Sequence, residues 1–421
     1  MNITVEKSGP VDTVVTAPPS KSYTHRALIC GALGSGTTTI RYPLYSEDTE
    51  LTIRALSDLG IDISADPFRV TISGCNGVLP NSSEKTLDLN NSGTSLRLLT
   101  SIALLSRYPV VLTGSRRMQE RPISPLAEAL PAIGGNVEFL KSNGFPPLRV
   151  SGHLSGGRIA IDGSISSQFI SSVLLAAPYA DHDVDIILPS PPASASYLDI
   201  TVDVMQKFGA QVTREGYTKF QVSTKSRYAG REYLVEGDYS SASYFFAAAA
   251  VCGGKVTVKN LEPESVQGDR RFLEALEMMG CHVTKGPDWV SVERTESLKG
   301  LVFDMATSPD TAQTLCIAAA LATSPTTITG VGHLKYKESD RVTAMADRLQ
   351  ALGADVIVES DSITIRPGKL HGGTIDPEND HRTAMSFAIL GLAVGGITIT
   401  NAECVEKSFP EFWDVFRGMI P

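Results

Sequence analysis

Small polar residues and long apolar runs alternate along this chain in a pattern that occurs six times. Each copy opens with small polar residues, continues as an apolar run rich in Ala and Leu, and passes through Gly into a β-branched segment. The apolar runs predict buried helices, and the β-branched segments predict strands. The openings are Pro19-Ser20-Lys21-Ser22, Asn91-Ser92-Gly93-Thr94, Ser166-Ser167-Gln168, Asp238-Tyr239-Ser240-Ser241, Ser308-Pro309-Asp310 and Asn379-Asp380-His381.

A glycine that ends a helical run marks a second phase of the same repeat. It occurs as Gly60, Gly134, Gly209, Gly280 and Gly353. Successive copies lie about 70–75 residues apart, which is too long for a solenoid module and suits a small β/α unit. Paired β-branched segments, such as 282–284 and 289–292, complete each copy. A copy therefore reads helix, strand, helix, strand, turn, strand, which predicts a mixed α/β (α+β) fold.

Two segments have the character of domain junctions. Thr16-Ala17-Pro18-Pro19 is stiff and extended, and the polar stretch 224–230 separates the third repeat from the fourth. We therefore expect repeats one to three to form one domain, residues 18–228. Repeats four to six form the other, residues 1–17 and 229–421, which includes a short strand at Ile3–Val5.

Composition predicts a globular protein and limits its partners. The chain has 421 residues, of which 42% are hydrophobic and 20% are charged, and its net charge is −9. This acidic balance argues against a general nucleic-acid surface, and it means that an anion site must be built locally from clustered cations. No apolar run approaches the roughly 18 residues of a membrane-spanning helix. Six cysteines without a C-x-x-C pair predict free thiols in a reduced, cytoplasmic protein.

Lysines and arginines concentrate at or just after the polar openings. They are Lys21, Arg26, Arg97, Arg121, Lys337, Arg341, Arg382 and Lys407. Any one of them is most simply a solvated surface charge, but their recurrence at equivalent positions favours anion binding. Helix starts add to this, because their backbone N–H groups attract anions.

Small and hydroxyl-bearing residues at the openings fit the same interpretation. Gly93 lacks a Cβ, so that an anion can approach the backbone N–H groups of the following helix. Hydroxyl groups are offered by Ser20, Ser22, Ser166 and Ser167. Helix capping alone is the alternative for most of these serines. The three adjacent hydrogen-bonding residues Ser166-Ser167-Gln168 exceed what one cap requires.

Two carboxylates, Asp310 and Glu338, lie among these cations. A carboxylate near cations stays ionised and can act as a base. The structural alternatives are a helix cap for Asp310 and an ion-pair partner for Glu338. The seven histidines show no metal-ligand spacing, so we expect no metal, and neither a Rossmann nor a Walker motif is present.

An ordered set of motifs makes the sequence specific. The motifs are Pro19-Ser20-Lys21-Ser22 with Arg26, Asn91-Ser92-Gly93-Thr94 with Arg97, Glu120-Arg121-Pro122-Ile123, Asp162-Gly163-Ser164 with Ser166-Ser167-Gln168, Lys337-Glu338-Ser339-Asp340-Arg341, Asp380-His381-Arg382 and Lys407-Ser408-Phe409-Pro410. Together they closely resemble the 5-enolpyruvylshikimate-3-phosphate synthase family over nearly the whole chain. Two positions depart from the family: His333 stands where Asn is frequent, and Ala195-Ser196 where Lys-Pro is common.

The resemblance implies a fold and a reaction. The fold is two inside-out α/β domains, each of three βαβαββ units, hinged by two crossover segments. The reaction transfers the enolpyruvyl group of phosphoenolpyruvate to the 5-hydroxyl of shikimate 3-phosphate by addition and elimination in an interdomain cleft, without a cofactor. The resemblance also implies a monomer and a place in the shikimate pathway towards chorismate and the aromatic amino acids. We further expect inhibition by glyphosate, because Gly93 leaves room at the implied phosphoenolpyruvate site.

Residue roles follow from the resemblance as well. It implies catalytic roles for Asp310, Glu338 and Lys21, with Asp310 engaging the reacting hydroxyl and the other two as proton donor and acceptor candidates. The implied contacts to shikimate 3-phosphate are Lys21, Ser22, Arg26, Ser166, Ser167, Gln168, Ser194, Asp310 and Lys337. The implied contacts to phosphoenolpyruvate are Lys21, Gly93, Arg121, Gln168, Arg341, Arg382 and Lys407.

Three other functions remain open at this point. UDP-N-acetylglucosamine enolpyruvyl transferase shares the fold and the reaction type, but commonly has a loop cysteine that the stretch 113–120 lacks. RNA 3′-phosphate cyclase is built from related units and needs a catalytic histidine, whereas His381 stands in a different motif. A non-catalytic anion-binding scaffold would need neither Asp310 nor Glu338.

Overall fold

A computed structural model describes residues 1–420 of the chain. The chain divides into two compact units. The discontinuous unit comprises Met1–Pro18 and Glu236–Pro421, and the continuous unit comprises Pro19–Val235. The chain begins in the discontinuous unit with the strands β1 (Ile3–Val5) and β2 (Val11–Thr16).

The continuous unit contains three sheets of four strands each within residues 19–235. Its helices are α1 (Lys21–Leu33), α2 (Glu47–Asp58), α3 (Gly93–Ile102), α4 (Ser124–Ala129), α5 (Gln168–Ala176) and α6 (Ser196–Lys207). Its strands are β3 (Thr37–Arg41), β4 (Asp62–Asp66), β5 (Arg69–Ser73), β6 (Lys85–Asp88), β7 (Val110–Thr113), β8 (Gly135–Phe139), β9 (Leu148–Gly152), β10 (Gly157–Ala160), β11 (Val184–Ile187), β12 (Val212–Glu215), β13 (Lys219–Val222) and β14 (Glu232–Leu234).

The discontinuous unit follows the same plan after residue 236. Its helices are α7 (Tyr239–Cys252), α8 (Phe272–Met278), α9 (Ala312–Ala320), α10 (Arg341–Ala351), α11 (His381–Val394) and α12 (Phe412–Met419). Its further strands are β15 (Gly254–Lys259), β16 (His282–Lys285), β17 (Trp289–Arg294), β18 (Val302–Asp304), β19 (Thr326–Thr329), β20 (Asp355–Val358), β21 (Ser362–Arg366), β22 (Gly373–Ile375) and β23 (Ile397–Ile399).

The sheets repeat one topology. The orders are β14-β3-β5-β4, β6-β7-β9-β8 and β10-β11-β13-β12 in the continuous unit, and β2-β15-β17-β16, β18-β19-β21-β20 and β22-β23-β1 in the discontinuous unit. The first pair of each sheet is parallel, and the remaining pairs are antiparallel. The predicted order of helix, strand, helix, strand, turn and strand is therefore present in the first five repeats. The sixth repeat runs from α11 through β23 to α12, and β1 completes its three-stranded sheet.

Two strands do not pair within the repeat that follows them in sequence. β2 precedes α1 but pairs with β15 of the discontinuous unit, and β14 precedes α7 but pairs with β3 of the continuous unit. Because Glu232–Leu234 pairs with residues 39–41, the continuous unit extends to Val235, whereas the sequence-based division ended this domain at residue 228. A three-residue strand after a polar stretch gives little periodic signal, which explains the difference.

Three helices of each unit are almost completely buried: α1, α3 and α5 in the continuous unit, and α7, α9 and α11 in the discontinuous unit. All residues of α7 from Tyr239 to Val251 are buried, whereas β5 on a sheet shows alternating exposed and buried positions. A helix that is apolar on all sides must be surrounded by other elements. One buried apolar cluster fills each unit. Within residues 1–420, no helix combines the length and the apolar character needed to cross a bilayer.

Candidate active site

The six polar openings predicted from the sequence all lead into helices. α1 begins at Lys21, α3 at Gly93, α5 at Gln168, α7 at Tyr239 and α11 at His381, and a 3₁₀ turn, Pro309–Thr311, precedes α9. Three openings carry a side-chain cap. Ser92 Oγ accepts the N–H of Ser95 at 3.3 Å, Asp238 Oδ1 that of Ser241 at 2.7 Å, and Asp380 Oδ1 that of Arg382 at 3.0 Å. Capping therefore accounts for these three side chains, whereas Ser20 and Ser167 make no capping bond.

In the continuous unit, Lys21 is fixed by a carboxylate of the neighbouring helix. Its Nζ lies 2.9 Å from Asp48 Oδ2, and only 2% of the Asp48 side chain is exposed. The Lys21 side chain is 15% exposed. The ion pair thus holds the ammonium group at the start of α1 while part of it stays accessible.

Arg26 is buried where α1 meets α5 and α6. Its Nε donates to Thr201 Oγ1 at 2.7 Å, and its terminal nitrogens donate to the backbone oxygens of Ser22 at 2.9 Å and Tyr197 at 3.2 Å. Burial lowers the pKa of the Arg26 guanidinium from 12.5 to about 10. These contacts show that Arg26 links α1 to the segment that carries Tyr197, in addition to any role towards a ligand.

Gln168 connects the second and third repeats. Arg97 donates to Gln168 Oε1 at 2.9 Å, and Gln168 Nε2 donates to Thr94 Oγ1 at 3.0 Å. The Arg97 guanidinium also lies over the ring of Phe169, 5.4 Å from its centroid. The amide orientation at the start of α5 is therefore fixed from α3.

At the start of α3, the Arg121 guanidinium lies where a side chain on residue 93 would begin. A Cβ placed on Gly93 would lie 2.6–2.8 Å from the guanidinium atoms of Arg121. Arg121 also donates to the backbone oxygen of Asn91 at 3.4 Å, and the residue is 3% exposed. The missing side chain of Gly93 therefore admits the Arg121 guanidinium to the helix start, which sets its positive charge beside the N–H groups of α3.

The serines of the third repeat surround the starts of α5 and α6. Ser166 and Ser167 are buried, and Ser166 Oγ accepts the N–H of Gln168 at 3.3 Å. Ser194 is buried and has a φ of +56°, a left-handed conformation that is uncommon outside glycine. Its backbone oxygen accepts the N–H of Tyr197 at 3.1 Å and so begins the turn into α6.

In the discontinuous unit, Arg341 joins three carboxylates. Its Nε donates to Asp380 Oδ2 at 2.8 Å, one terminal nitrogen donates to Asp310 Oδ1 at 3.0 Å, and the other donates to Glu338 Oε2 at 2.8 Å. The Arg341 side chain is 2% exposed. Burial alone disfavours its charge, but Asp380, Glu338 and Asp310 together raise the pKa of Arg341 above its ordinary value.

Asp310 is held by a second arginine. Arg382 donates to Asp310 Oδ2 at 2.8 Å and to the Asp310 backbone oxygen at 3.1 Å. The Asp310 side chain keeps 18% exposure, more than Arg341 or Arg382. Two guanidinium groups therefore orient one partly accessible carboxylate.

The remaining predicted residues of this unit, Glu338, Lys337 and Lys407, lie at the ends of two 3₁₀ turns. Glu338 and Lys337 follow the 3₁₀ turn Gly332–Tyr336, and Lys407 ends the 3₁₀ turn Ala402–Lys407 and is buried. Burial and the charge of Lys337 lower the pKa of His333 to about 3, so this histidine is neutral at neutral pH. The structure thus groups Asp310, Glu338, Arg341 and Arg382, with Lys337 at their edge.

Comparison with known proteins gives the family. A family model described as EPSP synthase (3-phosphoshikimate 1-carboxyvinyltransferase) matches residues 5–416. The 3-phosphoshikimate 1-carboxyvinyltransferase of Methanoculleus marisnigri is 61% identical over 418 residues, which are 99% of each chain. That of Methanoregula boonei is 59% identical and covers 100% of both chains.

The chain belongs to the EPSP synthase family.

A solved EPSP synthase from Acinetobacter baumannii has a TM-score of 0.83 and 29% identity, and it covers 100% of this chain and 98% of that chain. The family resemblance and the α/β fold predicted from the repeats are therefore confirmed. The family model and the curated relatives support the predicted EPSP synthase function. They do not support the alternative, UDP-N-acetylglucosamine enolpyruvyl transferase.

Several residues that hold the predicted site residues in place were not predicted from the sequence. Asp48 holds Lys21, Thr201 holds Arg26, and Asp380 holds Arg341, but none was given a role. Asp380 belongs to the motif Asp380-His381-Arg382 at the start of α11, and this position was the signal that could have indicated its role. Asp48 and Thr201 gave none, because their partners are 27 and 175 residues away in sequence.

Proposed function

We propose that this chain transfers the enolpyruvyl group of phosphoenolpyruvate to the 5-hydroxyl of shikimate 3-phosphate and releases phosphate. Membership of the EPSP synthase family and full-length identity of 61% to a 3-phosphoshikimate 1-carboxyvinyltransferase support this reaction. The structural observation that carries it is the Asp310 carboxylate held between Arg341 and Arg382.

The charges of the two substrates explain why the site needs its cations. Each substrate has a phosphate and a carboxylate, and the reacting atoms must meet. Two like charges 4 Å apart repel by about 4 kcal/mol at an effective dielectric near 20. Arginine forks offset this repulsion because they bind carboxylate and phosphate oxygens in pairs. We propose the phosphoenolpyruvate contacts Lys21, Gly93, Arg121, Gln168, Arg341, Arg382 and Lys407.

The other substrate would be held mainly by hydroxyl and basic groups. We propose that shikimate 3-phosphate contacts Lys21, Ser22, Arg26, Ser166, Ser167, Gln168, Ser194, Asp310 and Lys337. The buried positions of Ser166 and Ser194 support fixed hydroxyl orientations, because buried side chains lose rotational freedom. The fixed amide of Gln168 supports its contact with both ligands.

Proton transfers in the reaction account for the acidic residues. The 5-hydroxyl loses its proton as its oxygen bonds to C2 of phosphoenolpyruvate, and C3 gains a proton. Phosphate then leaves as its C–O bond breaks, and C3 loses a proton. We propose that Asp310 accepts the hydroxyl proton and that Glu338 and Lys21 exchange the proton at C3.

Phosphate release tests the proposed reaction. Wild-type protein should release phosphate from phosphoenolpyruvate only when shikimate 3-phosphate is present. Asp310→Ala, Glu338→Ala and Lys21→Met should each lower kcat by about 10²–10⁴-fold. Asp355→Asn removes an exposed carboxylate paired with Arg366 and serves as the control. Release that needs UDP-N-acetylglucosamine instead, or near-normal rates of both Asp310→Ala and Glu338→Ala, would contradict the proposal.

We further propose that the protein acts as a cytoplasmic monomer. Burial raises the pKa of the Cys30 and Cys316 thiols, which fits thiols that pack as small apolar groups in a reducing compartment. Sedimentation velocity of the purified chain tests the monomeric state, and a concentration-independent dimer would contradict it.

A further inference from the structure

Asp269 is a buried acidic residue to which the roles above assign nothing. It lies in the 3₁₀ turn Gly268–Arg271 ahead of α8 and is 5% exposed. Ser240 of α7 donates a hydrogen bond to Asp269 Oδ2, and Ser308 donates one to Asp269 Oδ1 at 3.2 Å. A buried carboxylate costs stability, and hydrogen bonds to its ionised form offset part of that cost.

The turn that carries Asp269 also holds the chain just before Asp310. Arg271 donates to Thr307 Oγ1 at 2.7 Å, and the next residue, Ser308, donates to Asp269. Asp310 follows two residues later. Two consecutive side chains of this segment are therefore anchored to one turn, which fixes the backbone from which the Asp310 carboxylate extends.

The charged groups around Asp269 include Asp310 itself. Burial first, and then the charge of Asp310, raise the pKa of Asp269 to about 7, while Arg382 of α11 acts in the opposite direction. Asp238 at the start of α7 adds a further negative charge. Arg341 faces Asp310 from the start of α10. Coupling between two titrating groups is mutual, so a charge on Asp269 equally favours a proton on Asp310.

We propose that Asp269 is a positioning residue that orients Asp310 through Ser308 and, by its own charge, controls how strongly Asp310 accepts a proton. This inference rests on the proposed function, in which Asp310 takes the proton of the reacting hydroxyl. Asp269 does not touch the substrate and exchanges no proton with it.

The charge on Asp269 should make the reaction depend on pH. When Asp269 is protonated, it adds no negative charge beside the Asp310 carboxylate, which is paired with Arg341 and Arg382. When Asp269 ionises, its negative charge raises the proton affinity of Asp310, and Asp310 becomes a stronger base. The value of kcat should therefore rise as the pH increases through about 7.

Asp269→Asn tests the charge directly, because asparagine resembles the protonated acid at every pH. We expect kcat near that of the wild type at pH 6 and about tenfold lower at pH 8, without the rise between them. Glu277→Gln, which removes an exposed carboxylate from α8, is the matched control and should keep the wild-type profile. A purely structural role would lower kcat by one factor at all pH values, and that result would overturn the proposal.

Ser240→Ala provides a second test that does not depend on the folding of Asp269→Asn. It removes a hydrogen bond to ionised Asp269 without touching Asp310, so the rise in kcat should move up by about one pH unit. An unmoved rise would overturn the proposal. Wild-type release of phosphate that depends on shikimate 3-phosphate must be measured alongside, because its absence would refute the proposed function instead.

Discussion

Gly93 shows how one missing side chain can place a charge. The sequence predicted that this glycine lets an anion approach the start of α3. In the structure, the space that a Cβ would fill lies 2.6–2.8 Å from the guanidinium of Arg121. The glycine thus acts first on a protein cation, and any effect on an anionic ligand would follow from the position of that cation.

We expect Gly93→Ala to displace the Arg121 guanidinium. A methyl group at this distance cannot coexist with it, and the flexible arginine side chain is the part that can move. Loss of one charge-assisted contact should raise the KM for phosphoenolpyruvate by about tenfold. We also expect glyphosate inhibition to weaken more than phosphoenolpyruvate binding. Steady-state kinetics with and without glyphosate measure both effects.

The control for this prediction is a glycine with open space around it. A Cβ on Gly418, in α12, would have no atom within 4 Å, so Gly418→Ala should leave both constants unchanged. Equal weakening of inhibitor and substrate by Gly93→Ala would contradict the expected selectivity.

Only part of the ion-pair cluster around Arg341 could be predicted from the sequence. Glu338 and Arg341 are three residues apart, so their ion pair could be foreseen at a helix start. Asp310 and Asp380 lie 31 and 39 residues away. Motifs identified these residues as polar helix openings, but only the packing of three helices determines that one arginine joins all three carboxylates.

At the scale of elements, the repeat predicted the helices and paired strands well. The segments expected at 282–284 and 289–292 are β16 and β17, and the helix starts follow the six openings. Capping residues and a glycine after each helix give strong local signals. The pairing of β2 with β15 and of β14 with β3 had no such signal, because pairing between strands far apart in sequence depends on tertiary packing rather than on local pattern.

Buried hydrogen bonds between helices fix functional side chains in the continuous unit. Thr201 of α6 accepts from Arg26 Nε at 2.7 Å and donates to the backbone oxygen of Tyr197 at 2.8 Å. Its hydroxyl also lies 2.8 Å from Ser171 Oγ of α5. One hydroxyl therefore helps to join three helices.

We expect Thr201→Val to weaken this junction. Valine has nearly the same shape but leaves the buried Arg26 Nε without its acceptor, which should lower the free energy of unfolding by about 1–3 kcal/mol. Thr100→Val is the matched control, since the buried Thr100 hydroxyl donates to Leu96 in its own helix. Urea unfolding measures both variants. Equal losses for the two would contradict a special role of the interhelical bond.

At the scale of the whole molecule, the chain contains two separate apolar cores. The clusters of the discontinuous and continuous units share no residue. The two cores contain isoleucines at equivalent positions of their sheets. Ile72 of β5 pairs with Thr38, and Ile365 of β21 pairs with Thr326; both isoleucines are completely buried. A protein with two cores need not unfold in a single two-state transition.

We therefore expect calorimetry to resolve two unfolding transitions. Ile72→Ala should lower the temperature of one transition, and Ile365→Ala that of the other, because each leaves a cavity in one core. Each change should cost about 2–5 kcal/mol. The matched pair provides its own control, since each variant should leave the other transition in place. If either substitution instead shifted a single common transition, the two cores would unfold as one cooperative unit, which would contradict the prediction.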